Sequence, residues 1–342
     1  MLKDAIQSIM NEAMDNASPV KHITKLHGDA SYRTYYRVTL EDKSTLIVMQ
    51  MPKGKASVSE EITNFNGTHE ELPFINVANY LSKAGLPVPK ILHYSKEHHL
   101  LILEDLGDHL MAKEVKDADD EKRLHWYKKA IDLLVQLQRN TKDGNADSCI
   151  AFARSFDSRL LNWEFDHFLE YGIEARNCIS MDKEDKSIFE EATQEISSKI
   201  EAMPYGFTHR DFQSRNLLIN DGEFTMIDFQ DALLGPRVYD LVSLTRDSYV
   251  RLSDDMVDEL IEYYATKVGR TDRDIRGEFD LVTVQRKLKD AGRFVYIDRI
   301  KGNPNFLPYI PTSLTYVQSA LARLPEYENL YKVLCKYVPE WK

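Results

Sequence analysis

Cysteine is scarce in this chain: Cys149, Cys178 and Cys335 lie far apart, and no two stand in a CxxC spacing. That excludes a disulfide framework and a cysteine-based zinc site, and it suits reduced thiols in a cytoplasmic setting. Long apolar runs are missing too. The first seventeen residues interrupt their apolar positions with acids and amides, so neither a secretion signal nor a membrane span is expected. Basic charge is in deficit, with 44 Lys and Arg against 55 Asp and Glu and a formal charge of −11. The basic residues are interspersed with acids and form no stripe, which argues against a nucleic-acid partner. The sequence also has no internal repeat and no low-complexity tract.

What remains is a globular composition, 43% hydrophobic and 29% charged, on 342 residues, a length that suits two lobes with an interior each. Leu2, Ile6, Ile9 and Met10 recur at helical spacing and predict an opening amphipathic helix. Residues 23–26, 32–40 and 45–51, rich in β-branched and aromatic side chains and parted by turn-forming residues, predict an antiparallel meander. A helix over 74–84, stopped by Gly85 and Pro87, and strands at 91–94 and 100–103 complete a small sheet lobe. From about 116 to 203 the pattern is helical, with Tyr127, Ile131, Leu134 and Val135 on one stripe. Short strands at 207–209, 217–220 and 224–227 interrupt it before helices resume. The predicted fold class is α+β and bilobal: residues 1–106 form a small antiparallel-sheet lobe, residues 107–342 a larger, mainly helical one.

The chemistry concentrates in Thr208-His209-Arg210-Asp211-Phe212-Gln213-Ser214-Arg215-Asn216-Leu217-Leu218-Ile219 and, after the tight turn Asn220-Asp221-Gly222, in Met226-Ile227-Asp228-Phe229. An Asp on a loop and an Asn five residues later can sit side by side, and the hairpin returns a second Asp beside both. Three converging oxygen-bearing side chains suit phosphoryl transfer. A hard cation such as Mg2+ takes oxygen ligands and neutralises phosphate charge, while a carboxylate orients the attacking hydroxyl and accepts its proton. Asp211 is the predicted base, and Asn216 and Asp228 are the predicted ligands of a Mg2+ that accompanies ATP. Singly, each residue has an ordinary reading, such as an Asp that caps a turn. Their order and spacing together carry the prediction. His209 is read as a buried residue that holds the loop by hydrogen bonds, not as a catalyst.

In these motifs the sequence resembles the aminoglycoside phosphotransferase and choline kinase-like family, relatives of the protein kinases, over nearly the whole chain. Within it the chain is similar to the anomeric N-acetylmuramate/N-acetylglucosamine kinases of bacterial cell-wall recycling. The likeness runs through Gly28-Asp29-Ala30-Ser31-Tyr32-Arg33, Leu103-Glu104-Asp105-Leu106-Gly107-Asp108, the two motifs above continuing as Gln230-Asp231-Ala232, then Gly235-Pro236, Tyr239-Asp240-Leu241, and the stretch from Gln285-Arg286 to Arg293. The resemblance implies a protein-kinase-like fold and a hinge at Glu104, Asp105 and Leu106 whose backbone meets adenine. It implies phosphate donors at Gly28, Asp29, Ala30 and Ser31 with Arg33 following, and Asp240 as a buried anchor of the catalytic loop. The implied protein is a cytoplasmic kinase, a monomer or weak dimer, that phosphorylates the anomeric hydroxyl of an N-acetylated amino sugar. Aminoglycoside or choline-type acceptors, and a non-catalytic ATP binder, stand as alternatives.

Two departures from kinase pattern are visible. Kinases hold the α- and β-phosphates with a third-strand lysine paired to a helix glutamate, yet here the strand reads Leu46-Ile47-Val48-Met49-Gln50 and the helix Phe74-Ile75-Asn76-Val77-Ala78-Asn79-Tyr80. Joint loss is chemically consistent, because a glutamate without its lysine is an unpaired charge. Arg33, Arg37, Lys53 and Lys55 are the candidate replacements. Gln230 stands where many kinases have the glycine of DFG, which predicts a less mobile loop. For the acceptor, the fold points to Asn162, Trp163, Glu164 and Asp166 on the helical insert and to the Arg215 side of the loop. An aromatic face with carboxylates suits a sugar and equally a cationic acceptor, and Trp163 also reads as helix core.

Overall fold

The computed structural model describes residues 2–13, 17–26, 33–51 and 71–342. Gly28, Asp29, Ala30, Ser31, Lys53 and Lys55, singled out above, lie outside the described residues. Five strands, β1 (Val20–Lys25), β2 (Thr34–Leu40), β3 (Thr45–Gln50), β4 (Ile91–Ser95) and β5 (Leu100–Glu104), form one antiparallel sheet in the order β1-β2-β3-β5-β4. Alternate residues of a strand face opposite sides, and here both sides are buried. Val38, Val48 and Ile102 pack against Ile6, Ile9 and Met10 of the opening helix α1 (Leu2–Ala13). Met49, Leu101 and Leu103 face the other way, into a core shared with α2 (Pro73–Lys83) and the second lobe.

The second lobe is helical, as its sequence pattern predicts: α3 (Met111–Lys116), α4 (Asp120–Asn140), α5 (Ser158–His167) running into a π-helical segment (Phe168–Ala175), α6 (Lys183–Glu201), α7 (Tyr239–Thr245), α8 (Asp254–Val268), α9 (Asp272–Lys301), α10 (Ile310–Leu321) and α11 (Glu328–Tyr337). Asp119, Asp157, Asp182, Ser253 and Thr271 each accept a first-turn backbone N–H and so fix where α4, α5, α6, α8 and α9 begin. Two antiparallel strand pairs are inserted: β6 (Tyr205–Thr208) with β9 (Leu233–Pro236), and, between them in the chain, the hairpin of β7 (Leu217–Asn220) with β8 (Glu223–Met226). The sequence gives no sign of β9, because Leu-Leu-Gly-Pro is too short to alternate. Its partners make it a strand, β6 on one side and Phe156, whose N–H donates to the Leu234 carbonyl at 2.9 Å, on the other.

Sheet gives way to helix between Glu104 and Met111, and that linker is clamped from the sheet. The Arg37 guanidinium of β2 grips Asp105 through two parallel bonds of 2.6 and 2.9 Å and reaches Asp108 at 2.5 Å. The β7-β8 hairpin is tied to the same region, with the Ile219 N–H on the His109 carbonyl at 2.7 Å and the Met226 N–H on the Pro87 carbonyl at 2.9 Å.

Helix α9 is the spine of the lobe, and it crosses α5 with no room to spare. A Cβ on Gly292 would come 2.8 Å from the Phe168 Cα and 2.9 Å from the His167 carbonyl oxygen, backbone atoms that cannot swing aside. Gly292→Ala is therefore expected to lower stability by about 1–3 kcal/mol, read as a lower midpoint in urea or thermal unfolding. An unchanged midpoint would show that the two helices do not meet this closely.

Candidate active site

The loop that carries Asp211 is built from the inside out. Strand β6 leads into His209 and Arg210, whose backbone N–H groups both donate to the buried Asp240 carboxylate at the start of α7, at 2.7 and 2.9 Å. Burial pushes the Asp240 carboxyl up to about 7, against the pull of the His209 N–H, Arg286 and the Arg210 N–H. Arg210 takes a left-handed backbone, φ 76°, a conformation a bulky residue holds only when its surroundings fix it. They do so here. Its guanidinium pairs with Glu164 at 3.0 Å, and the second Glu164 oxygen accepts from the Gln285 amide at 2.6 Å. Beyond the loop, Ser214 donates from both its N–H and its hydroxyl to Asp247, at 3.2 and 2.5 Å.

Asp211 emerges from this scaffold with its side chain 36% exposed, and one oxygen accepts from Arg286 at 3.2 Å. Burial pulls the Asp211 carboxyl upward, but Arg286, with Lys289 and Arg210, outweighs it and holds the group below its ordinary value. It is a carboxylate at neutral pH, with its other oxygen open to a donor. The Asn216 amide donates to the Asp211 carbonyl at 2.8 Å, and the Ile227 N–H donates to the Asn216 carbonyl at 3.0 Å. Those two bonds bring the hairpin and Asp228 beside the loop, as the five-residue spacing predicts.

Asp228 also has a left-handed backbone, φ 65°, and its carboxylate accepts from Gln230 at 3.0 Å and lies 3.5 Å from Arg33. Burial raises its carboxyl to about 6; Arg33 and Gln230 oppose the shift, and the charges of Asp211 and Asp231 add to it. Asn216 has turned its amide nitrogen to Asp211, so its side-chain oxygen is the atom left to bind a cation. One amide oxygen and one carboxylate crowded by like charges fit Mg2+, which takes few protein ligands and fills its shell with water and phosphate oxygens. Among the described residues there is no cluster of three or more His, Cys, Asp or Glu that offers an all-protein cage.

The missing lysine has a structural counterpart. On the face of β3 toward the second lobe stand Ile47 and Met49, both in the apolar core, and no cation. Helix α2 docks on the Asp228 loop through an aromatic contact, Phe74 against Phe229 with centroids 4.9 Å apart, where an ion pair would otherwise join them. Of the four candidate cations, Arg37 is taken by the linker, a correction to the sequence reading; its burial beside Asp105 and Asp108 explains why. Arg33 is the described candidate that reaches the site.

The acceptor side also differs from expectation. Glu164 is 1% exposed with both oxygens bound inside the protein, so it braces Arg210 and has no surface for a ligand. Asp166 is exposed and faces the charges of Lys186 and Glu190 on α6. Trp163 is half-buried and stacks on His167 at 5.1 Å, and Tyr171 and Tyr296 close the cluster at 4.8 and 5.2 Å from the same ring. The Arg215 guanidinium lies over Tyr249, 3.6 Å from its centre. His209 is fully buried as expected, but its peptide N–H makes the bond to Asp240, while its ring packs edge-on to Phe212.

The family described as "Phosphotransferase enzyme family" matches residues 22–278. The chain belongs to the phosphotransferase enzyme family. It is 27% identical over 324 residues to an N-acetylmuramate/N-acetylglucosamine kinase of Neisseria meningitidis serogroup B, covering 92% of this chain and 90% of that protein. A protein of the same name from Pseudomonas aeruginosa is 28% identical over 325 residues, covering 92% and 88%. In fold the chain is similar to choline kinase LicA from Streptococcus pneumoniae, with a TM-score of 0.64 and 13% identity over 94% of this chain and 99% of that one.

Two histidines of this phosphotransferase report on the scaffold. Burial lowers both His209 and His167 from 6.5 to about 4; the Asp211 charge opposes the shift at His209, and Arg293 adds to it at His167. The unfolded chain therefore takes up these protons before the native protein does. Their contribution to stability is whole above pH 6.5 and is lost as pH falls from there towards 4. In His167→Phe, whose ring suits the aromatic cluster, the unfolding free energy is expected to fall less steeply over that window, by up to about 1.4 kcal/mol per pH unit. Equal slopes from urea titrations of parent and variant would contradict a buried neutral His167.

Proposed function

We propose that this phosphotransferase transfers the terminal phosphoryl group of ATP to the anomeric hydroxyl of an N-acetylated amino sugar, N-acetylmuramate or N-acetylglucosamine. The observation that carries the reading is the Asp211 carboxylate, kept ionised and aimed by Arg286, beside Asn216 and the charge-crowded Asp228. The linker backbone at Glu104, Asp105 and Leu106, steadied by Arg37, meets adenine. Arg33 supplies the positive charge that the third strand lacks. Asn216 and Asp228 would hold Mg2+, which would supply neutralising charge to the transferring group. Asp211 accepts a hydrogen bond from the attacking hydroxyl on the oxygen that Arg286 leaves open, fixes its direction and takes its proton. The Trp163 and Tyr171 rings offer a face for the sugar ring. Support for this acceptor comes from the two bacterial kinases matched along nearly their whole length; the choline kinase likeness supports the fold alone. Such a kinase acts in the cytoplasm on sugars released from the cell wall.

ADP release is to be measured with N-acetylmuramate, N-acetylglucosamine, choline and an aminoglycoside. Turnover is expected with an N-acetylated sugar, abolished by chelating Mg2+, and lowered about 10²–10⁴-fold in Asp211→Asn. Turnover on the cationic acceptors alone would move the substrate class, and ATP binding without turnover of any acceptor would make the chain a non-catalytic binder. Arg33→Met is expected to raise the KM for ATP by about tenfold, the scale of one charge-assisted contact. An unchanged KM would remove Arg33 from the nucleotide site.

A further inference from the structure

Protein kinases hold two Mg2+ ions on the phosphates with the hairpin Asp and the loop Asn. In this chain the oxygens of those two side chains are engaged in a way that suits a single ion. Asp228 Oδ1 accepts from the Gln230 amide nitrogen at 3.0 Å and faces the Arg33 guanidinium at 3.5 Å, so both contacts fall on one oxygen. The Asn216 amide nitrogen is turned to the Asp211 carbonyl. Asp228 Oδ2 and Asn216 Oδ1 are left without a hydrogen-bond partner among the described residues. One oxygen on each of two residues can anchor one cation whose shell is otherwise water and phosphate.

Gln230 enforces this arrangement. Its side chain is 3% exposed, and the nitrogen that meets Asp228 also donates to Asp231 Oδ2 at 2.9 Å. The reversed amide would set its oxygen against two carboxylates, so the orientation is fixed. It has a cost, because Gln230 Oε1 is left buried with no donor among the described residues. A glutamate of the same length would remove both hydrogen bonds and gather three carboxylates at 228, 230 and 231, a set that calls for another cation. Arg33 acts in the same direction, since a fixed guanidinium beside Oδ1 repels a divalent ion there. Asp211, whose charge Asp228 also feels, holds Arg286 with one oxygen and offers the other to the acceptor. We propose that this site takes one divalent cation per ATP, and that Gln230, with Arg33, sets that number by occupying the Asp228 oxygen on which a second would bind. The proposal rests on the Mg2+ and ATP part of the function above and not on the acceptor.

The test counts Mn2+ by electron paramagnetic resonance, with the full chain in excess over the non-hydrolysable analogue AMP-PNP so that all nucleotide is bound, and with nucleotide-free protein as background. The parent protein is expected to saturate at about one Mn2+ per nucleotide. Gln230→Glu is expected to take about two, seen as a spin-coupled pair about 4 Å apart. Gln230→Met releases both carboxylates without adding charge and is expected to gain a second, weaker ion; it decides the matter if Gln230→Glu does not fold, as unfolding midpoints will show. Two ions in the parent, or no second ion in any folded variant, overturns the proposal while leaving the kinase reading intact. A parent protein that does not bind AMP-PNP overturns the kinase reading itself.

Discussion

The Arg286 guanidinium, fully buried midway along α9, donates at once to the Arg210 carbonyl at 2.7 Å, the Tyr239 hydroxyl at 2.9 Å and the Asp211 carboxylate at 3.2 Å. A buried cation costs several kcal/mol in lost hydration unless its partners are well placed. Here those partners are the loop, the helix that anchors the loop, and the Asp211 carboxylate, the proposed base. The loop cannot drift without stranding the charge, and the charge is tolerated because the loop is there. Asp240 completes the arrangement from below by binding the two N–H groups that precede Asp211. Glu164, itself braced by Gln285, fixes the Arg210 side chain, so a helix of the insert and the spine helix both hold Arg210.

The nucleotide side is organised by different physics. Where kinases join the sheet to the metal-binding loop by a lysine and a glutamate, this chain uses packing, with Met49 in the core and Phe74 against Phe229. Apolar contact needs no exact distance between charges. In the proposed mechanism the electrostatic work falls to Arg33, 3.5 Å from Asp228, and to a cation that Asn216 and Asp228 suit. Gln230 joins Asp228 to Asp231 through its side-chain amide nitrogen, at 3.0 and 2.9 Å, and its main-chain carbonyl accepts from Arg154, so the Asp228 loop is cross-braced where a glycine would leave it loose.

Much of this was legible in the sequence, and what was not has a physical reason. The strands of the first lobe and the long helices of the second follow from alternation and helical spacing, which depend on neighbours in the chain. Asp211, Asn216 and Asp228 were legible because a short loop and a tight hairpin fix their geometry locally. Arg286 was not assigned a role, although its stretch resembles the family, because it meets Asp211 from 75 residues away. Glu164 reads as a ligand contact for the same reason: helical spacing shows that one side of α5 is polar, not that Arg210 waits beneath it. Arg37 alternates onto a strand face like any exposed arginine, and only the path of the linker reveals its partners.

A crystal structure with Mg2+, a non-hydrolysable ATP analogue and N-acetylmuramate tests the account most directly. It should place the anomeric oxygen within about 3.2 Å of the Asp211 oxygen that Arg286 does not hold, with the cation between Asn216 and Asp228. A different sugar hydroxyl at Asp211, or a cation bound away from those two side chains, would contradict it.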